Sequence, residues 1–312
     1  MKKLMIGAVC AMMAAATFAE PKVEITKAYQ AEPGSGIVNY TYTISGLKGV
    51  TDLYIKVGAE GCSTTKTLTF TNVKEGTVSA SVNATELLGQ AYPNVTLFAE
   101  LEDGVQLWEN GPYFAKANLG ATKPEEYGWY FWWGDLVGYK RNSSNNGWVS
   151  VKDGTAFQFT TGNCPTYNKS MAFLQQNGWT DFWSGNLVAT KDAATRHLGA
   201  HWRMPTNDEL TSLVSNCTKE WKENWNGTGV NGFLVTGKGA YASKSIFLPA
   251  AGFGEDASHK DVGTIVHCWT SSQWKSDDNW NSKHLYLKSG DYATYANGRF
   301  EGRPVRAVRS AD

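Results

Sequence analysis

The stretch HLGAHWRMPTNDELTSLVSNC, residues 197–217, predicts an abrupt change from extended chain to helix. Thr206 can cap a helix that begins at the next residue, and Glu209, three positions on, completes the T-x-x-E pattern of a capping box. The helix then carries an apolar stripe at positions i, i+3 and i+4, formed by Leu210, Leu213 and Val214. We therefore predict a helix with one face buried against a core.

The approach to this helix predicts a sharp corner. Pro205 has a fixed φ angle and biases Met204 away from helical backbone angles, so the chain should enter the helix from an extended conformation. We expect Trp202 to anchor the corner in the core. Arg203 is expected to pair with a carboxylate or a carbonyl group inside it.

The segments around the corner predict an α+β arrangement for residues 116–312. Upstream, ATKDAATRHLG (189–199) is typical of a short helix that Gly199 ends. Downstream, short apolar runs predict the strands of a loop-rich sheet: GFLVTG (232–237), SIFLPAAGF (245–253), VHCWTSSQW (266–274), KHLYLKS (283–289) and PVRAVR (304–309). Two helices followed by such a sheet form an α+β fold.

The first part of the chain has a different composition. All 13 Trp residues lie from Trp108 onward, which places a domain boundary near 104–118. Before it, apolar and polar residues alternate in IVNYTYTIS (37–45), TVSASV (77–82) and VTLFAEL (95–101), a period typical of strands with one buried face. We expect about seven strands over residues 20–115, in a β-sandwich that resembles immunoglobulin or fibronectin type III domains.

Residues 1–19 have the pattern of a secretory signal peptide. Lys2 and Lys3 precede a short, mostly apolar run over 4–16, and small residues lie before an expected cleavage site near Ala19. No later segment reaches the ~18 apolar residues of a membrane helix, so we expect no transmembrane segment in the mature chain. The predicted location is secreted, periplasmic or on the outer surface.

Charge and cysteine content narrow the possible partners. Lys plus Arg and Asp plus Glu are balanced at 29 each, which argues against a nucleic-acid partner. Cysteines outside the signal peptide are Cys62, Cys164, Cys217 and Cys268. Their spacings contain no C-x-x-C motif, and export permits disulfides. We expect buried free thiols, and Cys217–Cys268 is the pair that we favour if a disulfide forms.

Six blocks of the second half occur in an order that resembles a known family. They are ANLGATKPEEYGWYFWWGD (117–135), KDAATRHLGAHWRMPTNDELTSLV (191–214), GVNGFLVTG (229–237), SIFLPAAGF (245–253), CWTSSQW (268–274) and GRPVRAVR (302–309). In this order they resemble the Fibrobacter-type major paralogous domain, which is similar to the C-type lectin-like fold of formylglycine-generating enzymes. The resemblance implies that the PVRAVR segment pairs near the first strand of the domain and closes it, and that the late loops form the ligand face.

The resemblance does not imply catalysis, because this fold supports enzymes, binding proteins and structural modules. A formylglycine-generating enzyme needs a close cysteine pair for copper, and Cys268 has no second cysteine near it. The tripeptides E-P-N and Q-P-D, typical of calcium-dependent lectins, are absent. The acid-rich segment GEDASHKD (254–261) matches no calcium loop that we recognise. We predict no enzyme activity, no cofactor and no metal site.

Other candidate reactive groups also favour structural roles. His197 and His201 are four residues apart, but Gly199 should end the helix between them, so a shared metal is not expected. His267 and Cys268 are neighbours in a predicted strand and should point to opposite faces. The adjacent acids Asp277 and Asp278 are interpreted as part of a solvated loop, although paired acids across a cleft would suit a glycosidase.

The richest functional pattern lies at 269–300, where aromatic, Asn, Asp and Ser residues are dense. Rigid aromatic rings and adaptable polar side chains suit a binding face for a glycan or a protein. The predicted ligand-binding residues are Trp280, Asn281, Tyr292 and Tyr295, although these aromatic rings would equally suit a small irregular core; Trp269 is expected to be buried. The sequence thus predicts an exported binding protein. The alternative is a structural or assembly module of the cell envelope without a discrete ligand.

Overall fold

The computed structural model describes residues 21–32, 34–59, 65–88 and 95–311, and the predicted signal peptide and Cys62 lie outside these ranges. The fold is mostly β, with 42% strand and 13% helix, and its strands form several small antiparallel sheets. Within these ranges, no helix has both the length and the apolar composition required to cross a membrane.

The first part of the chain forms two three-stranded antiparallel sheets. Its elements are β1 (Lys22–Gln30), β2 (Ile37–Ser45), β3 (Asp52–Ala59), β4 (Lys66–Phe70), β5 (Gly76–Asn83), the single-turn helix α1 (Thr85–Leu88) and β6 (Val95–Glu102). The strand orders are β1-β2-β5 and β4-β3-β6. Both sheets contribute to one apolar core, in which β2 and β3 supply the most deeply buried side chains: Val38, Tyr40, Tyr42, Ile44, Leu53, Ile55 and Val57.

The alternation in β2 and β6 was predicted correctly, whereas β5 differs from the prediction. Val78 is paired with Tyr42 and lies on the same face of the sheet, yet Val78 is 41% exposed. Val78 is exposed because β5 lies at the edge of its sheet. Of the residues in β5, only Val82 near its end packs against the core. Over residues 20–115, where we had expected about seven strands, the described residues hold eight: β1 to β6 and two short strands at Gly104–Gln106 and Tyr113–Ala115.

The rest of the chain contains three α-helices and fourteen short strands. The helices are α2 (Met171–Gln176), α3 (Ala193–Leu198) and α4 (Asn207–Asn216). The strands before α2 are β7 (Gly104–Gln106), β8 (Tyr113–Ala115), β9 (Tyr139–Arg141), β10 (Trp148–Ser150) and β11 (Ala156–Phe157). Those after α4 are β12 (Thr218–Lys222), β13 (Gly232–Thr236), β14 (Ser245–Pro249), β15 (Phe253–Glu255), β16 (Ser258–Lys260), β17 (Val266–Gln273), β18 (Asn281–Lys288), β19 (Asp291–Gly298) and β20 (Val308–Arg309).

The C-terminal segment pairs with the start of this part of the chain, as predicted. β20 is antiparallel to β8, with Val308 opposite Phe114, and β8 pairs in turn with β7. Two further backbone hydrogen bonds, from Ala115 N to Ala307 O and from Leu119 N to Val305 O, both measure 2.9 Å. Only two residues of the segment count as strand, because the chain before Val308 makes separate backbone bonds instead of a regular ladder.

The corner at Trp202 and the capping box are both present. Thr206 Oγ1 accepts a hydrogen bond from Glu209 N at 3.2 Å, and Glu209 Oε2 accepts one from Thr206 N at 2.8 Å. Arg203 pairs with Glu209 through two bonds of 2.7 and 2.6 Å, and its backbone exchanges two 2.9 Å bonds with Val308. Trp202 is buried. The corner therefore joins α4 to the closing strand, which explains why the entry to the helix is so strongly specified.

The helix predicted at 189–199 is shorter than expected. Asp192 caps α3 by accepting a 2.9 Å hydrogen bond from Thr195 N, and the residues before it form only a single turn of 3₁₀ helix. Gly199 follows the last helical residue with φ of +99°, which a glycine adopts without strain. We did not predict α2, whose only local start signal is the Ser170 cap.

The largest core of the second part is formed by α4 together with two sheets, β12-β13-β14 and β17-β18-β19. Leu210 and Leu213 are buried there, whereas Val214, the third member of the predicted stripe, is partly buried. Cys217 and Cys268 belong to the same core as free thiols, and Cys164 is likewise free and buried. The expectation of buried free thiols is confirmed for these three cysteines, and the favoured Cys217–Cys268 disulfide is not formed.

Candidate functional site

Five exposed aromatic side chains lie on adjoining segments of the second part of the chain. We name this region the aromatic surface and define it by Phe173, Phe182, Trp183, Trp274 and Trp280. Trp183 is 89% exposed and Phe182 is 65% exposed. Large rings that stand in solvent are unusual on a soluble protein unless they are scattered singly, and a group of them marks an interaction site.

The tip of a hairpin at 179–188 carries the two most exposed rings. Asp181 Oδ1 accepts hydrogen bonds from Trp183 N at 3.0 Å, Ser184 N at 2.8 Å and Ser184 Oγ at 3.0 Å. These bonds, those from Ser184 first, hold the pKa of Asp181 below its ordinary value. The ionised carboxylate thus fixes the turn, so that Phe182 and Trp183 are presented on a defined backbone.

Two neighbouring elements hold this hairpin in place. From α2, Gln175 Nε2 donates a 3.0 Å hydrogen bond to the Phe182 carbonyl oxygen. From the end of β17, Gln273 N donates to the Gly185 carbonyl oxygen at 3.3 Å. Trp274, the next residue after β17, therefore lies close to the hairpin tip.

Trp280 is joined to α2 through the chain that precedes that helix. Lys169 N donates a 3.1 Å hydrogen bond to the Asn279 carbonyl oxygen, and Lys169 Nζ lies 5.0 Å from the centroid of the Phe173 ring. Asp278 Oδ1 accepts a bond from Trp280 N at 2.8 Å and sets the turn before β18. The five rings therefore belong to segments that contact one another.

The rings do not form a flat platform. The centroids of Phe182 and Trp183 are 5.1 Å apart and their planes meet at 82°. Lys275 Nζ lies 4.2 Å above the Trp274 ring, so one face of that ring is occupied by a cation. The open ring faces are therefore mainly those of Phe182, Trp183 and Trp280.

The structure does not bring the four predicted ligand-binding residues together. Trp280 belongs to the aromatic surface, and Asn281 beside it donates its side-chain amide to Asp278 at 3.0 Å. Tyr292 and Tyr295 are three residues apart on β19, and the alternation of a strand puts them on opposite faces of the sheet.

The two tyrosines accordingly have different surroundings. Tyr292 packs against the core, with its ring centroid 5.5 Å from that of Phe233. Tyr295 is exposed on the other face, packs against Tyr286 at 5.1 Å and donates its hydroxyl to Asp291. Trp269 is fully buried, as predicted.

Four members of the aromatic surface were not among the predicted site residues: Phe173, Phe182, Trp183 and Trp274. The segment TDFWSG (180–185) carries the signal that was missed, because two aromatic residues stand between an aspartate and a Ser-Gly pair. Aspartate, serine and glycine favour a tight turn, and aromatic residues at the tip of a turn have no neighbours to bury them.

The candidate reactive groups have structural partners. His197 Nε2 lies 3.0 Å from the Leu136 carbonyl oxygen, and the pairing of β17 with β18 puts His267 and Cys268 on opposite faces, as predicted. Asp278 is buried, so its interpretation as part of a solvated loop was wrong: both of its oxygens accept bonds inside the turn before β18. Across the described ranges, no three His, Cys, Asp or Glu side chains are placed to hold a metal ion.

Apart from the aromatic surface, a cluster of polar side chains lies next to the β15-β16 hairpin. The Arg303 guanidinium is 5.0 Å from the Phe253 ring centroid and 4.5 Å from that of Trp269. His267 Nδ1 and His284 Nδ1 are 3.5 Å apart. Arg303 and both histidines are buried, so this cluster presents no open face to a ligand.

The comparisons with known proteins give no family or neighbour: no protein-family model, no curated protein and no solved structure matches the chain.

Proposed function

We propose that this chain is an exported, non-catalytic binding protein whose aromatic surface holds a glycan or protein ligand. The observation that carries the proposal is the hairpin tip, where Trp183 is 89% exposed on a turn fixed by three hydrogen bonds to Asp181. An exposed ring on a fixed backbone binds with little loss of conformational entropy, since Trp has only two side-chain torsions.

Exposed aromatic rings are energetically unfavourable in water. Leaving a large aromatic ring fully in water forfeits about 2 kcal/mol of burial. Trp183 and Phe182, at 89% and 65% exposed, lose most of this stabilisation, and the three less exposed rings lose a smaller part of it. Tryptophan is also the residue type most enriched among the side chains that dominate binding interfaces. Contact with a partner would recover this lost burial, and the flat face of a sugar ring or an apolar protein pocket would each supply it.

The architecture proposed with this function follows the sequence blocks described above. Residues 1–19 would direct export, residues 20–115 would form a spacer of the immunoglobulin or fibronectin type III kind, and residues 116–312 would form the lectin-like head. The β-rich fold and the pairing of β20 with β8 support this arrangement. The protein would then act outside the cytoplasm, secreted or on the envelope.

The test is a binding screen against a glycan array and intact bacterial cells, with wild-type chain beside a Phe182→Ala, Trp183→Ala, Trp280→Ala variant. We predict saturable binding by wild type and a loss of affinity of more than about tenfold in the variant, since each truncated ring removes contact area worth about 1 kcal/mol or more. Circular dichroism and thermal unfolding establish that the variant is folded.

A matched control is Phe98→Ala, because Phe98 is an equally exposed ring on β6, outside the aromatic surface. This control is expected to bind as wild type does. The proposal fails if the folded triple variant binds with wild-type affinity, or if neither protein binds anything on the array or the cells.

A further inference from the structure

The sheet β1-β2-β5 has an open edge along β5. This strand pairs with β2 on one side, and no backbone hydrogen bond from the described residues reaches its other side. Val78 lies on the same face as the buried Tyr42 and is nevertheless 41% exposed. The backbone groups on the outer side of β5 therefore form a template on which a further strand can pair.

The other edge strands of these two sheets carry features that oppose strand addition. β1 has three charged residues and a bulge between Ile25 and Lys27, β6 contains Glu100 and Glu102, and β4 contains Lys66. Charges and bulges are the devices by which proteins prevent association through sheet edges. β5, with the sequence GTVSASVN, has no charged residue, no proline and no bulge. Of the edges of these two sheets, β5 is therefore the one best suited to pair with another strand.

A second copy of β5 complements this edge in an antiparallel register. With Ala80 on a two-fold axis, Val78 of one copy lies opposite Val82 of the other, and Ser79 lies opposite Ser81. Residues directly opposite in an antiparallel pair share a face, so the valines meet on the face toward the core and the serines meet on the other face. The exposed side chain of Val78 would thus be covered by the partner's Val82.

The charges at the two ends of β5 have opposite signs. The contacts of Glu75 with Leu47 N, of Lys66 with Asn83 O and of Thr85 with Ser35 O place three charged residues at each end: Lys48, Lys74 and Glu75 at the start, and Glu32, Lys66 and Glu86 at the finish. Two cations and one anion thus adjoin the start, and one cation and two anions adjoin the finish. Antiparallel pairing brings each start to the partner's finish, whereas parallel pairing would bring like charges together.

We infer that β5 is a self-association surface, through which two copies of this chain join their three-stranded sheets into one six-stranded antiparallel sheet about a two-fold axis at Ala80. Each copy presents the same strand to the other, so the contact is closed at two copies. The inference does not rest on the proposed function, because β5 lies outside the aromatic surface.

The test is sedimentation velocity of the exported chain between about 1 and about 200 µM, a range suited to the weak dimer that a short edge contact gives. We expect wild type to change from monomer to dimer across it. Ala80→Lys puts two ammonium groups opposite each other at the axis and should weaken dimerisation at least about tenfold, and Ala80→Glu should do the same. Mixing these two variants brings opposite charges together, so the mixture should dimerise at least about tenfold more tightly than either variant alone.

The matched control is Thr69→Lys, at an exposed position on the edge strand β4, and it should dimerise as wild type does. A second measurement uses cysteine. Opposed residues of an antiparallel pair have Cα atoms about 4.5 to 5.5 Å apart, which a disulfide can span, so Ala80→Cys should form a covalent dimer on mild oxidation and Thr69→Cys should not.

Circular dichroism establishes that each variant is folded. A wild-type chain that stays monomeric at about 200 µM would overturn the inference. A dimer that both charged variants leave unchanged would also overturn it, because the contact would then lie elsewhere. A monomeric mixture of the two variants would overturn the two-fold register at Ala80, and assemblies larger than a dimer would contradict closure at two copies.

Discussion

Arg306 shows how completely a single side chain can be specified by its surroundings. It is buried, and its guanidinium donates to the Asn118 side chain at 2.9 Å and to the carbonyl oxygens of Ala115, Lys116 and Phe247 at 2.9 to 3.2 Å. The role of this arginine is therefore structural. Its partners lie about 60 and 190 residues away in the chain, so the sequence indicated burial in a closing strand without identifying the partners.

The buried histidines make a prediction about acid. Burial lowers the pKa of His267 to about 4, although Asp261 at 3.5 Å opposes the shift, and it lowers the pKa of His284 well below its ordinary value, with Arg303 adding to the effect. In the unfolded chain both titrate near pH ~6.5, so below that pH the unfolded state binds more protons. The stability that these two neutral histidines contribute is therefore fully present above about pH 6.5 and is lost toward pH ~4, by about 3 kcal/mol for His267 alone.

Urea unfolding at about pH 7 and about pH 4.5 measures this loss. A His267→Gln variant cannot be protonated there, so its free energy of unfolding should fall less than that of wild type over the same interval. Phe182→Ala, a substitution at an exposed ring that does not titrate, provides the control and should keep the wild-type dependence. An equal fall in all three proteins would show that the buried imidazole does not set the acid sensitivity.

Elements whose signals are local were predicted well, and those fixed by distant contacts were not. The helix α4 follows from a cap, a capping box and a stripe within ten residues. The hairpin at 179–188 carries a local turn signal in TDFWSG, but its place beside α2 and β17 is set by Gln175 and Gln273, which lie on those other elements. The burial of β5 could not be predicted for the same reason. Alternation shows which residues share a face of the strand, but it does not show whether another sheet covers that face.

The capping box yields a stability prediction at this scale. Thr206→Ala removes the acceptor for Glu209 N and should lower the free energy of unfolding by about 1 kcal/mol. Glu209→Ala should cost more, because it also breaks the two bonds to Arg203. Thr206→Ser keeps the hydroxyl and should lie within about 0.5 kcal/mol of wild type. A Thr206→Ala variant as stable as wild type in guanidinium titrations would contradict the assigned role of the cap.

At the scale of the whole molecule, one buried lysine joins the first part of the chain to the second. Lys116 Nζ lies 2.6 Å from Asp52 Oδ2 and 3.0 Å from Glu102 Oε2. Burial alone would raise the pKa of Glu102, but its hydrogen bond to Lys116 and the lysine charge hold the pKa below its ordinary value. Lys244 adds a second cation 3.4 Å from Glu102.

Removing the central cation should destabilise the molecule measurably. Lys116→Gln leaves two partly buried carboxylates without their shared partner, and we expect a loss of about 2 kcal/mol in the free energy of unfolding. Lys140→Gln, at an exposed lysine on β9, should change stability by less than about 0.5 kcal/mol. Equal effects of the two substitutions in urea titrations would show that the contact contributes nothing across this junction.

The candidate site could be predicted only in part, because it is assembled from segments far apart in the sequence. Trp280 was found through the dense aromatic and polar composition around it. Phe182 and Trp183 reach the same surface from about 100 positions upstream, through contacts that no single segment encodes. Tyr292 was predicted as a ligand-binding residue because composition does not distinguish the two faces of β19. In the structure Tyr292 lies on the face that packs against the core.

If the aromatic surface is the binding face, its tryptophan rings should sense a bound ligand, and ¹⁹F NMR of the chain labelled with 5-fluorotryptophan detects that change. Resonances are assigned by Trp→Phe substitution and followed during titration with a ligand that the binding screen identifies. We predict that the signals of Trp183 and Trp280 shift on binding, while those of the buried Trp133, Trp148 and Trp269 stay in place. Saturable binding that leaves Trp183 and Trp280 unshifted would contradict it, because the ligand would then lie elsewhere.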